Sequence, residues 1–247
     1  MPKEDLKTIR IAMWSGPRNI STALLRSFEN RPDTFVTDEP FYAHYLYKTG
    51  ENHPLKDKVI KKGETNWDMV VKNIIGDIPF GKTVWYQKHM AQHNLPGYDL
   101  KWIEKLCNII LIRHPMDVIS SYIKKYEIRN ILQLGYPQQF KLFNFLINNI
   151  GDMPTILDAR DVLNNPESLL LKLCNKIDIP FYKEMLFWPS GHRESDGIWG
   201  EYWYDGVESS TGFHPYAINR YPLPAMYKEF YEDCMEYYQH LYQHRMR

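Results

Sequence analysis

TIRIAMWSGPRNISTALLRSF, residues 8–28, is the stretch from which the rest of the chain is read. Ile9, Ile11 and Met13 alternate as in a β-strand, and Ser15-Gly16-Pro17-Arg18-Asn19 turns sharply. Ser21 and Thr22 then lead into a helical run through Phe28. The order is strand, tight loop, helix. The first N–H groups of a helix have no internal partner and carry the positive end of the macrodipole, so such a loop suits an anion. With Arg18 in the loop and two hydroxyls at the helix start, the anion is tetrahedral. A plain strand–helix loop with a Ser/Thr cap is the competing reading. The loop has one glycine and lacks the Lys-Ser/Thr pair of an ATP- or GTP-binding loop, so the ligand is not a triphosphate tail of that kind.

Further along, Thr34-Phe35-Val36-Thr37 reads as a second strand that delivers Asp38-Glu39-Pro40. The aromatic segment FYAHYLY, residues 41–47, suits a helix or a pocket lining, and residues 48–66 read as a polar surface excursion. A helix over 68–75 precedes the strand TVWYQK (83–88), which ends at Lys88-His89-Met90. An amphipathic helix is expected over 100–106. NIILI (108–112) is a continuous apolar run, as in a strand covered on both faces of a parallel sheet. Arg113-His114-Pro115 follows it, then a helix over 116–126 with proline at its first turn. Helices over 138–150 and from Asn165-Pro166 to Ile177 flank a strand at 155–157. Residues 187–222 hold Gly, Trp, Tyr, His and Ser with little periodicity and read as a lid or binding loop. A last helix is expected from Ala225 to Arg247.

Strands alternating with helices predict an α/β protein with a mainly parallel sheet flanked by helices, organised as one domain over 1–247. Ligands of such sheets bind beyond the carboxyl ends of the strands, and Arg18, Glu39, Lys88 and Arg113 all fall at that edge. Lys+Arg and Asp+Glu are both 30, which argues against a polybasic surface for nucleic acid or membrane. Cys107, Cys174 and Cys234 lack ligand spacing and read as core thiols in a reducing compartment. The polar start MPKEDLKTIR is unlike a signal peptide, and no 18-residue apolar run is present, so a cytoplasmic location is expected. The oligomeric state is not legible.

These positions resemble the sulfotransferases that use 3′-phosphoadenosine 5′-phosphosulfate (PAPS), with a sheet like that of P-loop nucleoside triphosphate hydrolases. The resemblance runs from about residue 9 to 181. It rests on Gly16-Pro17-Arg18-Asn19-Ile20-Ser21-Thr22, similar to the family's 5′-phosphosulfate loop, and on Leu111-Ile112-Arg113 followed by Ser121 eight residues on, similar to its 3′-phosphate motif. It implies PAPS as co-substrate without a metal, held by Arg18, Asn19, Ile20, Ser21, Thr22, Arg113 and Ser121. Thr211 and Gly212, in Ser209-Ser210-Thr211-Gly212-Phe213, correspond to the C-terminal phosphate-binding loop. It implies transfer of a sulfuryl group to a hydroxyl or amine of a small organic or carbohydrate acceptor.

The base is Glu39, which resembles the glutamate of some bacterial and carbohydrate sulfotransferases, or His89, which resembles the histidine of cytosolic ones. Arg18 and Lys88 are expected to stabilise charge on the bridging oxygen. Structural readings compete for each: a carboxylate at a helix start for Glu39, a strand-end histidine for His89, a helix-flanking charge for Arg113. The aromatic cluster at 199–204 reads as packing, with the wall of an acceptor pocket as the alternative. A nucleotide-dependent phosphotransferase and a non-catalytic nucleotide-binding protein are the alternative functions.

Overall fold

The computed structural model describes residues 7–151, 153–217 and 222–247. The first six residues of the polar start and residues 218–221 of the irregular stretch lie outside them. Five strands form one sheet: β1 (Ile9–Ser15), β2 (Thr34–Asp38), β3 (Val84–Met90), β4 (Cys107–Ile112) and β5 (Thr155–Asp158). The order is β2-β3-β1-β4-β5 and every pairing is parallel. The expected α/β class follows from the buried apolar strands: a parallel sheet needs helices on both faces.

Side chains alternate across that sheet. Ala12, Trp14, Ile110 and Ile112 face one core with Phe41, Trp67, Trp102, Leu142 and Phe143. The helices α4 (Trp67–Ile74), α5 (Pro115–Tyr122), α6 (Tyr136–Ile150) and α11 (Lys228–Gln243) supply that layer. Ile11, Met13, Ile109 and Leu111 face the other core with Leu24, Leu25 and Phe28 of α1 (Ser21–Glu29) and Leu170 and Leu173 of α8 (Pro166–Lys176). Among the described residues no helix is long and apolar enough to cross a membrane.

Several expected elements differ. The 48–66 excursion contains α3 (Lys56–Lys62), whose Val59 packs with Tyr42 and Leu46 of α2 (Tyr42–Thr49). One buried residue per two turns is too weak a period to read. Residues 100–106 form a 3₁₀ segment, Lys101–Lys105, instead of an α-helix; Trp102 and Ile103 are its buried pair. The helix after Pro115 ends at Tyr122, short of 126. Asp158 caps a further helix, α7 (Ala159–Asn164), by accepting from the Arg160 N–H at 2.8 Å. The irregular stretch carries α9 (Gly200–Trp203) and α10 (Asp205–Glu208), and the last α-helix begins at Lys228 after a 3₁₀ turn over Ala225–Tyr227. The strand order also departs from simple succession. β2 does not pair with β1 but lies at one edge of the sheet, with β3 between them.

Candidate active site

A cavity of about 460 Å³ lies beyond the carboxyl ends of β1, β2, β3 and β4. At one end the loop after β1 meets α5. Arg18 adopts a left-handed backbone, φ 53°, a conformation that costs a non-glycine residue about 1–3 kcal/mol and persists only where its surroundings hold it. Its Nε donates to Ser121 Oγ at 3.0 Å, and Arg113 Nη1 donates to the Arg18 carbonyl at 2.7 Å. Burial first, and Arg113 second, pull the Arg18 guanidinium below its ordinary range. Arg113 Nε is buried with no partner. Two guanidinium groups held beside each other are electrostatically unfavourable unless an anion sits against both. No side chain caps α1, and Ile20, Ser21, Thr22 and Ala23 line the cavity. Asn19 shapes the turn: its Nδ2 donates to the Leu111 carbonyl and its Oδ1 accepts from the Ile20 N–H. Gly16 is required by close approach, since a Cβ there would lie 2.7 Å from the Leu134 carbonyl oxygen.

At the other end two carboxylates share one ammonium. The parallel register sets Asp38 opposite Lys88, so their side chains lie on the same face. Lys88 Nζ donates to Asp38 Oδ1 at 2.9 Å, to Glu39 Oε1 at 2.8 Å and to the Tyr204 hydroxyl at 2.5 Å. Tyr204 donates in turn to Asp38 Oδ2 at 2.6 Å and accepts from Trp199 Nε1 at 3.0 Å. The Lys88 side chain is 2% exposed and that of Glu39 11%. Burial acts to lower the Lys88 ammonium, but Asp38 and Glu39 outweigh it and the net shift is upward. Glu39 is pushed up by burial, against the pull of Lys88. Glu39 also has a left-handed backbone, φ 41°, with its N–H on the Lys88 carbonyl at 2.9 Å. The chain thus leaves β2 abruptly and turns the carboxylate into the cavity.

A model of the sulfotransferase domain matches residues 9–245. The chain belongs to the sulfotransferase domain family. Two curated Arabidopsis thaliana proteins, branched-chain-amino-acid aminotransferase-like proteins 2 and 1, are each 35% identical to it, over 92% and 95% of this chain but 40% and 42% of theirs. The chain thus spans about two fifths of the length of these relatives. The fold is that of the sulfotransferase domain from the curacin biosynthetic pathway, at 16% identity and a TM-score of 0.53 over 95% of this chain and 98% of that one. A sulfotransferase from Alicyclobacillus acidocaldarius is similar at 10% identity and TM-score 0.53, over 96% and 97% of the two chains. The likeness is to a parallel sheet of the P-loop type.

In this sulfotransferase domain, Arg18, Asn19, Ile20, Ser21, Thr22, Glu39, Lys88, Arg113, Ser121 and Gly212 all line the one cavity. Thr211 is not among its lining residues; its carbonyl accepts from the Trp188 N–H at 3.1 Å, beside the Phe187–Gly212 bridge. His89 is not brought to the cavity. Strand alternation turns it to the opposite face from Lys88, where it stacks on Trp14 with centroids 4.4 Å apart. Burial drives its imidazole down to about 3. Lys88 lines the cavity, but with three partners it is no unencumbered cation.

Sequence reading missed Asp38 and Tyr204 as partners of Lys88, and His53 and His93 as cavity walls; Tyr42 falls in the 41–47 segment read as a helix or a pocket lining, and it does line the cavity. Tyr204 lies in the 199–204 cluster that reads as packing. A Tyr whose hydroxyl must find a partner once buried was the one available signal for it. His53 sits within the stretch taken for surface, and nothing local marks it.

Proposed function

We propose that this sulfotransferase domain moves a sulfuryl group from PAPS to a hydroxyl or amine of a small organic or carbohydrate acceptor, with Glu39 as general base and without a metal. The observation that carries the reading is the convergence of Arg18, Arg113 and Ser121 at one end of a cavity whose other end holds Glu39. Arg113 and Ser121 would hold the 3′-phosphate, since the unpartnered Arg113 Nε offers a charged donor there. The N–H groups that open α1 would cradle the 5′-phosphosulfate. Gly212 and Phe213 would close the nucleotide side.

PAPS supplies an activated sulfuryl group. Its transfer is in line to the acceptor oxygen, and the protein contributes positioning and charge stabilisation. The acceptor proton passes to the Glu39 carboxylate as the new S–O bond forms and the bridging P–O–S oxygen leaves with its electron pair on 3′-phosphoadenosine 5′-phosphate (PAP). A raised Glu39 is a stronger base than an ordinary carboxylate, and the Lys88 ammonium favours its ionised form in a site that otherwise disfavours charge. His89, away from the cavity, is assigned no proton.

Calorimetry with PAP, AMP and ATP in EDTA tests the donor. PAP is expected to bind more tightly than AMP, with ATP no better than AMP. Arg113→Ala should weaken PAP by roughly 2 kcal/mol and leave AMP unchanged, in the range for charged hydrogen bonds. Equal affinity for PAP and AMP, or metal-dependent preference for ATP, would falsify the reading in favour of a phosphotransferase or a plain nucleotide binder.

A further inference from the structure

The acceptor end of the cavity is built differently from the donor end. Tyr42 follows Glu39 closely, its N–H bonded to the Glu39 carbonyl at 3.0 Å. The Tyr42 hydroxyl and His53 Nδ1 are 2.9 Å apart, and His93 stacks flat on the Tyr42 ring, centroids 5.0 Å apart and planes within 6°. Tyr122 and Trp203 complete this wall. Besides Arg113 at the donor end, three residues that line the cavity leave a buried polar atom without a partner: His53 Nε2, His93 Nδ1 and Gln92 Oε1. Buried polar groups are nearly always paired, so three on one cavity point to a ligand that pairs them.

Resting on the reading above, we propose that Tyr42, His53 and His93 form the acceptor site and that they take an uncharged ring compound through a hydroxyl. Three features argue for an uncharged molecule. Burial holds His53 down at about 4 and His93 well below its ordinary value, so both imidazoles are neutral near pH 7. The Lys88 charge is already matched by Asp38 and Glu39, so no cation here is left for an acidic acceptor. An ammonium on the acceptor has no lone pair with which to attack sulfur. The aromatic wall provides apolar surface for a ring. A neutral imidazole offers one N–H and one lone pair, so the Tyr42–His53 pair meets a hydroxyl in either tautomer.

The test uses three molecules of one shape: 2-naphthylmethanol, 2-naphthoate and 2-naphthylmethylammonium, titrated into PAP-loaded protein at neutral pH. The alcohol is expected to bind at least about tenfold more tightly than either ion, and Tyr42→Phe and His53→Phe each to weaken it several-fold with PAP affinity unchanged. Tyr42→Phe keeps the ring stacked on His93 and decides the matter if His53→Phe does not fold. An ion binding as well as the alcohol, no measurable binding of the alcohol, or an alcohol affinity indifferent to Tyr42→Phe overturns the assignment. Failure of the donor reading registers separately, as PAP not binding the unaltered protein. The same ranking on the free protein then still judges the acceptor site.

Discussion

Glu39 combines a left-handed backbone, a buried carboxylate and a single ammonium partner. Removing its charge at nearly constant shape isolates its chemistry. Glu39→Gln is expected to lower turnover at least about a hundredfold while PAP affinity holds, because a general base contributes about 10² to 10⁴ in rate. His89→Asn should cost far less and should leave the shape of the pH profile unchanged, since His89 lies in the core against Trp14. Steady-state rates against pH for both variants check this. The sign of the acid limb follows from the direction of the Glu39 shift. As the proposed base, Glu39 works only when ionised, and burial raises its pKa above the ordinary 4.5, so turnover is expected to fall as pH drops through a value above 4.5. Lys88→Met should move that limb upward again, because the ammonium is what pulls Glu39 down.

The segment from Phe187 to Ala217 is irregular in sequence yet fixed at several points. Arg26 Nη2 meets Asp196 Oδ2 at 2.5 Å with both side chains fully buried. Ser195 Oγ donates to Glu29 Oε1 at 2.5 Å, and the Gly197 N–H reaches Asp38 Oδ2 at 3.3 Å. Tyr204 closes the set by joining Asp38 and Lys88. The segment that walls the cavity is therefore held by the same carboxylate that orders Lys88 for Glu39. Tyr204→Phe keeps the ring over Lys88 but strands Trp199 Nε1 and leaves Asp38 Oδ2 with only the longer Gly197 N–H bond, so a loss of about 1–3 kcal/mol in stability is expected. Denaturant titration measures the loss, and limited proteolysis locates it. Cleavage should increase within residues 187–217 before the sheet is touched; uniform cleavage along the chain would place the effect in the core instead.

Across the whole molecule, the buried His89 and His93 and the half-buried His53 are all pulled below 6.5 by desolvation. In the unfolded chain each takes up a proton as pH falls through about 6.5, while the folded protein resists until about 4 for His53 and about 3 for His89. Their contribution is therefore fully present above pH 6.5 and declines as pH falls from 6.5 towards 4. Each such group gives a slope of up to about 1.4 kcal/mol per pH unit. Glu39, raised, acts with the opposite sign above 4.5. Unfolding free energies in urea at pH 7.5, 6 and 5 should fall steadily, and a His89→Gln background should flatten the slope.

What the sequence determined by itself was the strand–loop–helix of residues 8–28, the apolar NIILI strand and the alternation that makes a parallel sheet. Those features are local: period, turn chemistry and helix starts depend on near neighbours. From them Arg18, Glu39, Lys88 and Arg113 could be set at one edge, since every parallel strand ends there. Only the tertiary structure decided which of them meet. The sheet order put β3 between β1 and β2, so Glu39 lies against Lys88 and not beside the loop that follows β1. Strand parity decided that Lys88 turns to the cavity and His89, one residue on, to the core. A side-chain period of two allows no compromise between them. Tyr204 and His53 join the site from more than a hundred residues downstream of Lys88 and from a stretch with no readable period. Such contacts are fixed by packing and hydrogen bonding between segments whose own sequences carry no trace of the partner.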